Sequence, residues 1–144
     1  MSVKIKWVDG MKFVGNGDSG HSVVMDAGPE VGGEDTATRP MELCLISLLG
    51  CTGMDVVAIL RKMEVEWDDF EISILEYERA PKHPKVYTKI RLLFKITGDN
   101  IDEKLFAKAI KLSHDKYCSI SAMLSKTAEV SYEYKIENKK LKEE

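Results

Sequence analysis

The sequence predicts an α+β fold with a mainly antiparallel sheet. Strand-like segments come in groups instead of alternating singly with helices: three precede the long apolar segment Arg39 to Met63, and two follow it. Two helical segments and one last strand then close the chain, giving the order βββ-α-ββ-αα-β. There is no internal repeat.

Val3, Ile5 and Trp7 alternate with Lys4, Lys6 and Val8, the pattern of a half-buried strand. Asp9-Gly10 is a hairpin signal. Met11 to Val14 resumes the strand, residues 15–20 turn again, and His21 to Met25 makes a third short strand. Residues 1–26 therefore read as a meander. Ala27 to Thr38 holds Gly28, Pro29, Gly32 and Gly33 without periodicity, which reads as an exposed loop long enough to be functional or mobile. Pro40 suits the first position of a helix, where its missing N–H would be unpaired anyway. Glu42 then lies at the positive end of the helix dipole, with the Arg39 N–H in reach. The spacing predicts one central helix over 40–63.

Phe70, Ile72 and Ile74 share one face of a strand, and residues 78–85 connect it to a second long strand, Val86 to Ile96. Gly98-Asp99-Asn100 turns. Asp102 caps a helix whose Leu105, Phe106, Ala109, Ile110 and Leu112 fit the 3.6 period. Ser113-His114-Asp115 interrupts it. A short helix over about 116–127 and a strand over 128–136 follow, and residues 137–144 read as a charged, solvated tail.

A chain of 144 residues has the size of one domain and can bury a core without disulfides. With 44% hydrophobic and 31% charged residues, disorder throughout is excluded. The net charge of -3 and the lack of a basic stripe argue against a nucleic-acid partner. Met1 to Val8 carries no secretory signal. Gly50, Thr52, Gly53 and Asp55 interrupt the apolar run, so no membrane span is expected. These readings point to the cytoplasm, where three cysteines rest reduced and any disulfide is catalytic or sensory. No CxxC or Cys/His spacing suits zinc, so no metal is expected.

Cys51 sits mid-helix between Gly50 and Gly53. Small residues there either open access to a thiol or let another element pack closely over a buried, inert one. Cys118 begins a short helix after a break, where backbone N–H groups lower a thiol pKa. The two could form a nucleophile and a resolving thiol. Cys44 lies two turns before Cys51 and reads as core. A thiolate at Cys51 needs a cation, and Arg39, about three turns or roughly 18 Å away along the helix, does not reach it there. His21, His83 and His114 are scattered.

The segments Arg39-Pro40-Met41-Glu42-Leu43 and Leu48-Leu49-Gly50-Cys51-Thr52-Gly53-Met54-Asp55, with Leu112-Ser113-His114-Asp115-Lys116-Tyr117-Cys118, strongly resemble the OsmC/Ohr family of organic hydroperoxide reductases. The resemblance covers nearly the whole chain and implies one OsmC-like domain over 1–144. It also implies an intertwined homodimer with antiparallel sheets around two long central helices and active sites at the subunit interface. The chemistry it implies is a two-cysteine peroxidase without haem, flavin or metal, acting on organic hydroperoxides and restored by an external dithiol such as a lipoyl group. Cys51 matches the peroxidatic cysteine, Cys118 the resolving one, and Glu42 the active-site glutamate. The family's N-terminal arginine has no counterpart in residues 1–38, and Arg39 is the nearest substitute. The expected function is thus a Cys51/Cys118 thiol peroxidase. The alternatives are a non-catalytic module that binds a small ligand and a thiol redox sensor.

Overall fold

The structure, a computed structural model, describes residues 2–139. The chain divides into two compact units, Met1–Ile46 and Ser47–Glu144.

In the first unit, β1 (Lys4–Asp9), β2 (Lys12–Asn16) and β3 (Ser22–Met25) form the expected antiparallel meander. Gly10 takes φ +54° in the first turn, a left-handed conformation that L side chains rarely adopt. The Trp7 indole N–H donates to the Gly10 carbonyl across that turn at 2.8 Å. The half-buried pattern expected of β1 is not met. Ile5 and Trp7 are 58% and 59% exposed, because nothing described in this chain covers their face.

The segment after β3 is an ordered loop. The buried Asp26 carboxylate accepts from the Ala27 N–H, the Thr36 N–H and the Thr36 hydroxyl, at 2.7, 3.0 and 2.6 Å. These bonds hold Asp26 at a pKa of about 2, the Thr36 hydroxyl contributing most. A Cβ on Gly33 would stand 1.9 Å from the Ala27 carbonyl oxygen, so the loop closes only around glycine.

Helix α1 (Pro40–Lys62) starts at the proline, as expected. Leu45, Leu48, Thr52, Val56 and Leu60 recur every three or four residues and are buried. Met54 is 76% exposed. The expectation that this segment is too polar to span a bilayer needs correcting. By length and composition α1 qualifies, with a mean hydropathy of 2.2 and 28% of that window buried within the chain. Its two glycines, Glu42 and Asp55 do not offset the leucine, isoleucine and valine around them.

The second unit is built on β4 (Asp69–Arg79), β5 (Tyr87–Gly98) and β6 (Glu129–Asn138), with β5 in the middle. Ile90, Leu92, Phe94 and Ile96 of β5 are buried in strict alternation. The intervening positions carry charge: Glu76 pairs with Lys89 and Arg91, and Arg91 with Glu133. Helix α2 (Glu103–Leu112) is capped by the Asp102 carboxylate, which accepts from the Leu105 N–H at 3.2 Å. Its Phe106 meets Phe70 and Tyr134 edge-to-face.

One pairing departs from the antiparallel expectation. β5 is antiparallel to β4 but parallel to β6. The helical connection from Gly98 to Glu129 carries the chain back over the sheet before β6 begins, and such a crossover returns a strand parallel. The expected tail is also shorter than read. Glu137 and Asn138 belong to β6, Glu137 pairing with Lys95, while 140–144 lie outside the described residues.

Candidate functional site

The break expected at Ser113-His114-Asp115 is instead a π-turn, Ser113–Tyr117, that continues α2. The wider turn ends where the Cys118 N–H donates to the Ser113 carbonyl at 2.8 Å. Cys118 then becomes the N-cap of helix α3 (Ser119–Leu124), its Sγ accepting from the Ser121 N–H at 3.3 Å. Cys118 is only 3% exposed.

This turn brings Cys118 to Cys51. The Cys51 Sγ, the Cys118 Sγ and a carboxylate oxygen of Asp55 all lie within 4.8 Å of one another. Asp55 is one helical turn after Cys51, so both face the same way from α1. The Ser113 hydroxyl donates to Asp55 Oδ2 at 3.0 Å. The Thr52 and Ser113 hydroxyl oxygens are 2.7 Å apart, and both residues are buried. Since Ser113 gives its proton to Asp55, Thr52 donates to Ser113. The chain Thr52–Ser113–Asp55 thus runs from the core to the thiols.

Sequence reasoning expected a lowered thiol pKa at Cys118, and the structure reverses this. Burial pushes it up to about 11, against the Ser121 N–H, which lowers it. A hydrogen bond to Cys51 and the nearby Cys51 and Asp55 charges raise it further. The Cys118 thiol is therefore protonated at neutral pH.

The two glycines beside Cys51 differ in role. A Cβ on Gly53 would meet Ile72 of β4 at 3.3 Å, so Gly53 permits close packing, whereas nothing lies within 4 Å of that position on Gly50. A cavity of about 430 Å³ opens along Asp55, Ile59, Met63, Leu112 and Tyr117, with Lys62 and Lys108 among its walls. A depression of about 560 Å³ around Arg61, Trp67 and Asp99 shares no residue with the thiol cluster.

Arg39 and Glu42 belong to the first unit. The Arg39 guanidinium pairs with Asp35 and lies 3.6 Å, through Nε, from a Glu42 carboxylate oxygen. Among the four residues singled out from the sequence, the structure thus joins Cys51 to Cys118 and Arg39 to Glu42. Cys44 is half-buried and is not part of the thiol cluster.

Asp55, Ser113 and Thr52 escaped the sequence reading. The i, i+4 spacing of Cys51 and Asp55 was the available signal for the first, but Ser113 had none, because its place depends on the π-turn. Two sulfurs and a carboxylate oxygen within 4.8 Å of one another are also donor types that a metal ion takes, a grouping that no sequence spacing reveals.

A profile of the family described as OsmC-like protein matches residues 32–133. Protein YhfA of Escherichia coli K12 is 36% identical over 136 residues, covering 94% of this chain and 98% of YhfA. The crystal structure of a hypothetical protein from Aquifex aeolicus VF5 is 32% identical and superposes with a TM-score of 0.77, over 95% of this chain and 97% of that one. The organic hydroperoxide resistance protein OhrB of Bacillus subtilis shares the fold with a TM-score of 0.64 at 17% identity, over 94% of this chain and 98% of that one.

Proposed function

We propose, starting from the fact that the chain belongs to the OsmC-like family, that it is a thiol peroxidase acting on organic hydroperoxides. The observation that carries this reading is the pair of sulfurs within 4.8 Å of one another. Cys51 is the more accessible of the two thiols and Cys118 the buried one, so in this reading Cys51 is the nucleophile. An organic hydroperoxide as substrate is in keeping with the shared fold of the B. subtilis organic hydroperoxide resistance protein.

The Cys51 thiolate attacks the distal oxygen of R–O–O–H. The O–O bond breaks, Cys51 becomes a sulfenic acid, and the alkoxide leaves as the alcohol after taking a proton from solvent. Cys118 then attacks the Cys51 sulfur, water leaves, and a disulfide remains. Its closure needs the sulfurs to move from within 4.8 Å to about 2.05 Å, a side-chain rotation rather than a refolding. An external dithiol such as dihydrolipoamide reduces the disulfide by exchange. Arg39 and Glu42 are assigned the supporting ion pair, on the strength of their 3.6 Å contact.

We read residues 1–144 as one OsmC-like domain, since the family profile crosses both units. The active form in this reading is a homodimer in a reducing compartment such as the cytoplasm. Its support is the exposed apolar side of α1, with Ile46 and Met54 uncovered, which a second copy would bury. Lipid is the poorer partner for that helix, because Thr52, Val56 and Leu60 are already packed inside the chain and Asp55 is bonded to Ser113.

The test is peroxide consumption with cumene hydroperoxide and dihydrolipoamide. Turnover is expected for the parent, none for Cys51→Ser, and a single oxidation event without turnover for Cys118→Ser. Peroxide loss no faster than in Cys51→Ser would overturn the reading. Stoichiometric disulfide formation without turnover would replace it with a redox sensor.

A further inference from the structure

We infer that Asp55 is a further catalytic residue, whose carboxylate takes the proton of the Cys118 thiol as the Cys51–Cys118 disulfide forms. The inference rests on the thiol-peroxidase reading and concerns its second step alone.

Resolution requires Cys118 to lose a proton at the moment its sulfur bonds to Cys51. Water is poorly placed to accept it, since Cys118 is almost wholly buried. In the reduced protein the Cys51 sulfur lies within 4.8 Å of the Cys118 sulfur. Once Cys51 carries oxygen, its sulfur is not a group that takes up a proton. The remaining anionic acceptor described around Cys118 is the Asp55 carboxylate, with an oxygen within 4.8 Å of both sulfurs. His114 is nearby in sequence, but its ring is turned to Tyr132 and to the Ser121 hydroxyl.

The carboxylate is also positioned for this. Ser113 donates to Oδ2, and Thr52 in turn donates to Ser113, so one oxygen is anchored by a buried hydroxyl chain. Ser113 and Thr52 are positioning residues that act through Asp55.

The step balances as follows. Cys118 S–H and Cys51 S–O–H become Cys51 S–S Cys118 and water. The S–S bond forms as the S–O bond breaks, the thiol proton passes to Asp55, and Asp55 returns it to the departing hydroxide. Cys118 sulfur is oxidised and the sulfenic sulfur is reduced. A carboxylate is too weak a base to ionise a buried thiol outright, so the transfer is concerted with S–S bond formation.

The test uses the full-length protein carrying Cys44→Ser, so that only Cys51 and Cys118 report. In one reaction, an equivalent of cumene hydroperoxide is added, the Cys51 sulfenic acid is trapped with dimedone, and disulfide is read by mass. In the other, Cys51 is capped with Ellman's reagent, and release of the second thionitrobenzoate reports attack by Cys118 with no peroxide present. Asp55→Asn, which keeps the shape and an acceptor for Ser113, is expected to oxidise at Cys51 within about threefold of the parent. It should close the disulfide about 100-fold more slowly at pH 7 in both reactions. Its closure rate should rise about tenfold per pH unit from pH 7 to 9, following the thiolate fraction, while the parent stays nearly flat. Asp55→Glu keeps the base and should restore the flat profile. Closure in Asp55→Asn within about threefold of the parent, with the parent's pH profile, overturns the proposal. A parent that fails to oxidise with hydroperoxide overturns the peroxidase reading, and the Ellman reaction still decides Asp55.

Discussion

The two sheets of this chain treat apolar residues in opposite ways. In the second unit, β5 buries Ile90, Leu92, Phe94 and Ile96, with α2 packed on the sheet through Phe106. In the first unit, Ile5, Trp7, Val8, Val23 and Val24 of the meander are exposed. A strand flanked on both edges and covered by a helix satisfies its apolar side chains locally. In the three-stranded meander, nothing described in this chain covers them. The reactive groups follow the same division. The thiols and Asp55 sit with the packed unit, where burial raises the Cys118 thiol, and the Arg39–Asp35–Glu42 ion pairs sit with the other.

The sharpest way to break this contrast is in the core. Phe106→Ala removes a fully buried ring from contact with Phe70 and Tyr134 and should cost about 3–5 kcal/mol in urea unfolding. A cost below about 1 kcal/mol would mean the second unit is not the stability centre.

Next comes the uncovered helix face. Met54→Glu puts a charge where the chain itself has nothing to lose, because the side chain is 76% exposed. On the dimer reading it should shift the mass in sedimentation from dimer to monomer and make Tm less dependent on protein concentration. An unchanged mass would remove α1 from the interface. Arg39→Gln should slow Cys51 oxidation about tenfold and leave disulfide closure unchanged, as stopped-flow on both steps would read. Equal oxidation rates would confine the Arg39–Glu42 pair to local structure.

The pH limits of the two units should also differ. Asp26 is held at a pKa of about 2, below its unfolded value near 3.9, so its stabilising bonds are fully present above about pH 4 and are lost as pH falls towards 2. Cys118 is pushed up to about 11, above an unfolded value near 8.5. Its contribution is therefore full below about pH 8 and is lost as pH rises towards 11. Asp26→Asn should lower Tm at pH 7, with the difference from the parent shrinking towards pH 2. Cys118→Ala should flatten the alkaline fall. The smallest effect is expected at Trp7→Phe, which deletes one exposed hydrogen bond to Gly10 and should cost about 1 kcal/mol or less.

Most of the element order was legible because it is encoded locally. Asp9-Gly10, Pro40 and Asp102 punctuate the chain by backbone geometry and capping, which act within a few residues. Alternation in β5 and the 3.6 period in α2 reported burial correctly, since neighbours in the same unit provide the cover. The same logic failed at β1, where alternation was present but cover was not. The parallel β5–β6 pair escaped because a pairing direction is set by the path of the connection, not by the strands themselves.

By itself, then, the sequence determined the α+β class, the central helix from Pro40, and the two cysteines worth watching. These follow from periodicity, turn chemistry and residue type. Only the tertiary structure decided that Cys51 and Cys118 meet, that the Cys118 thiol is raised instead of lowered, and that Asp55 joins them on a Thr52–Ser113 hydroxyl chain. The reason is that pKa values and hydrogen bonds depend on what surrounds a group in space. A single π-turn, invisible as a sequence pattern, sets where Ser113 and Cys118 stand.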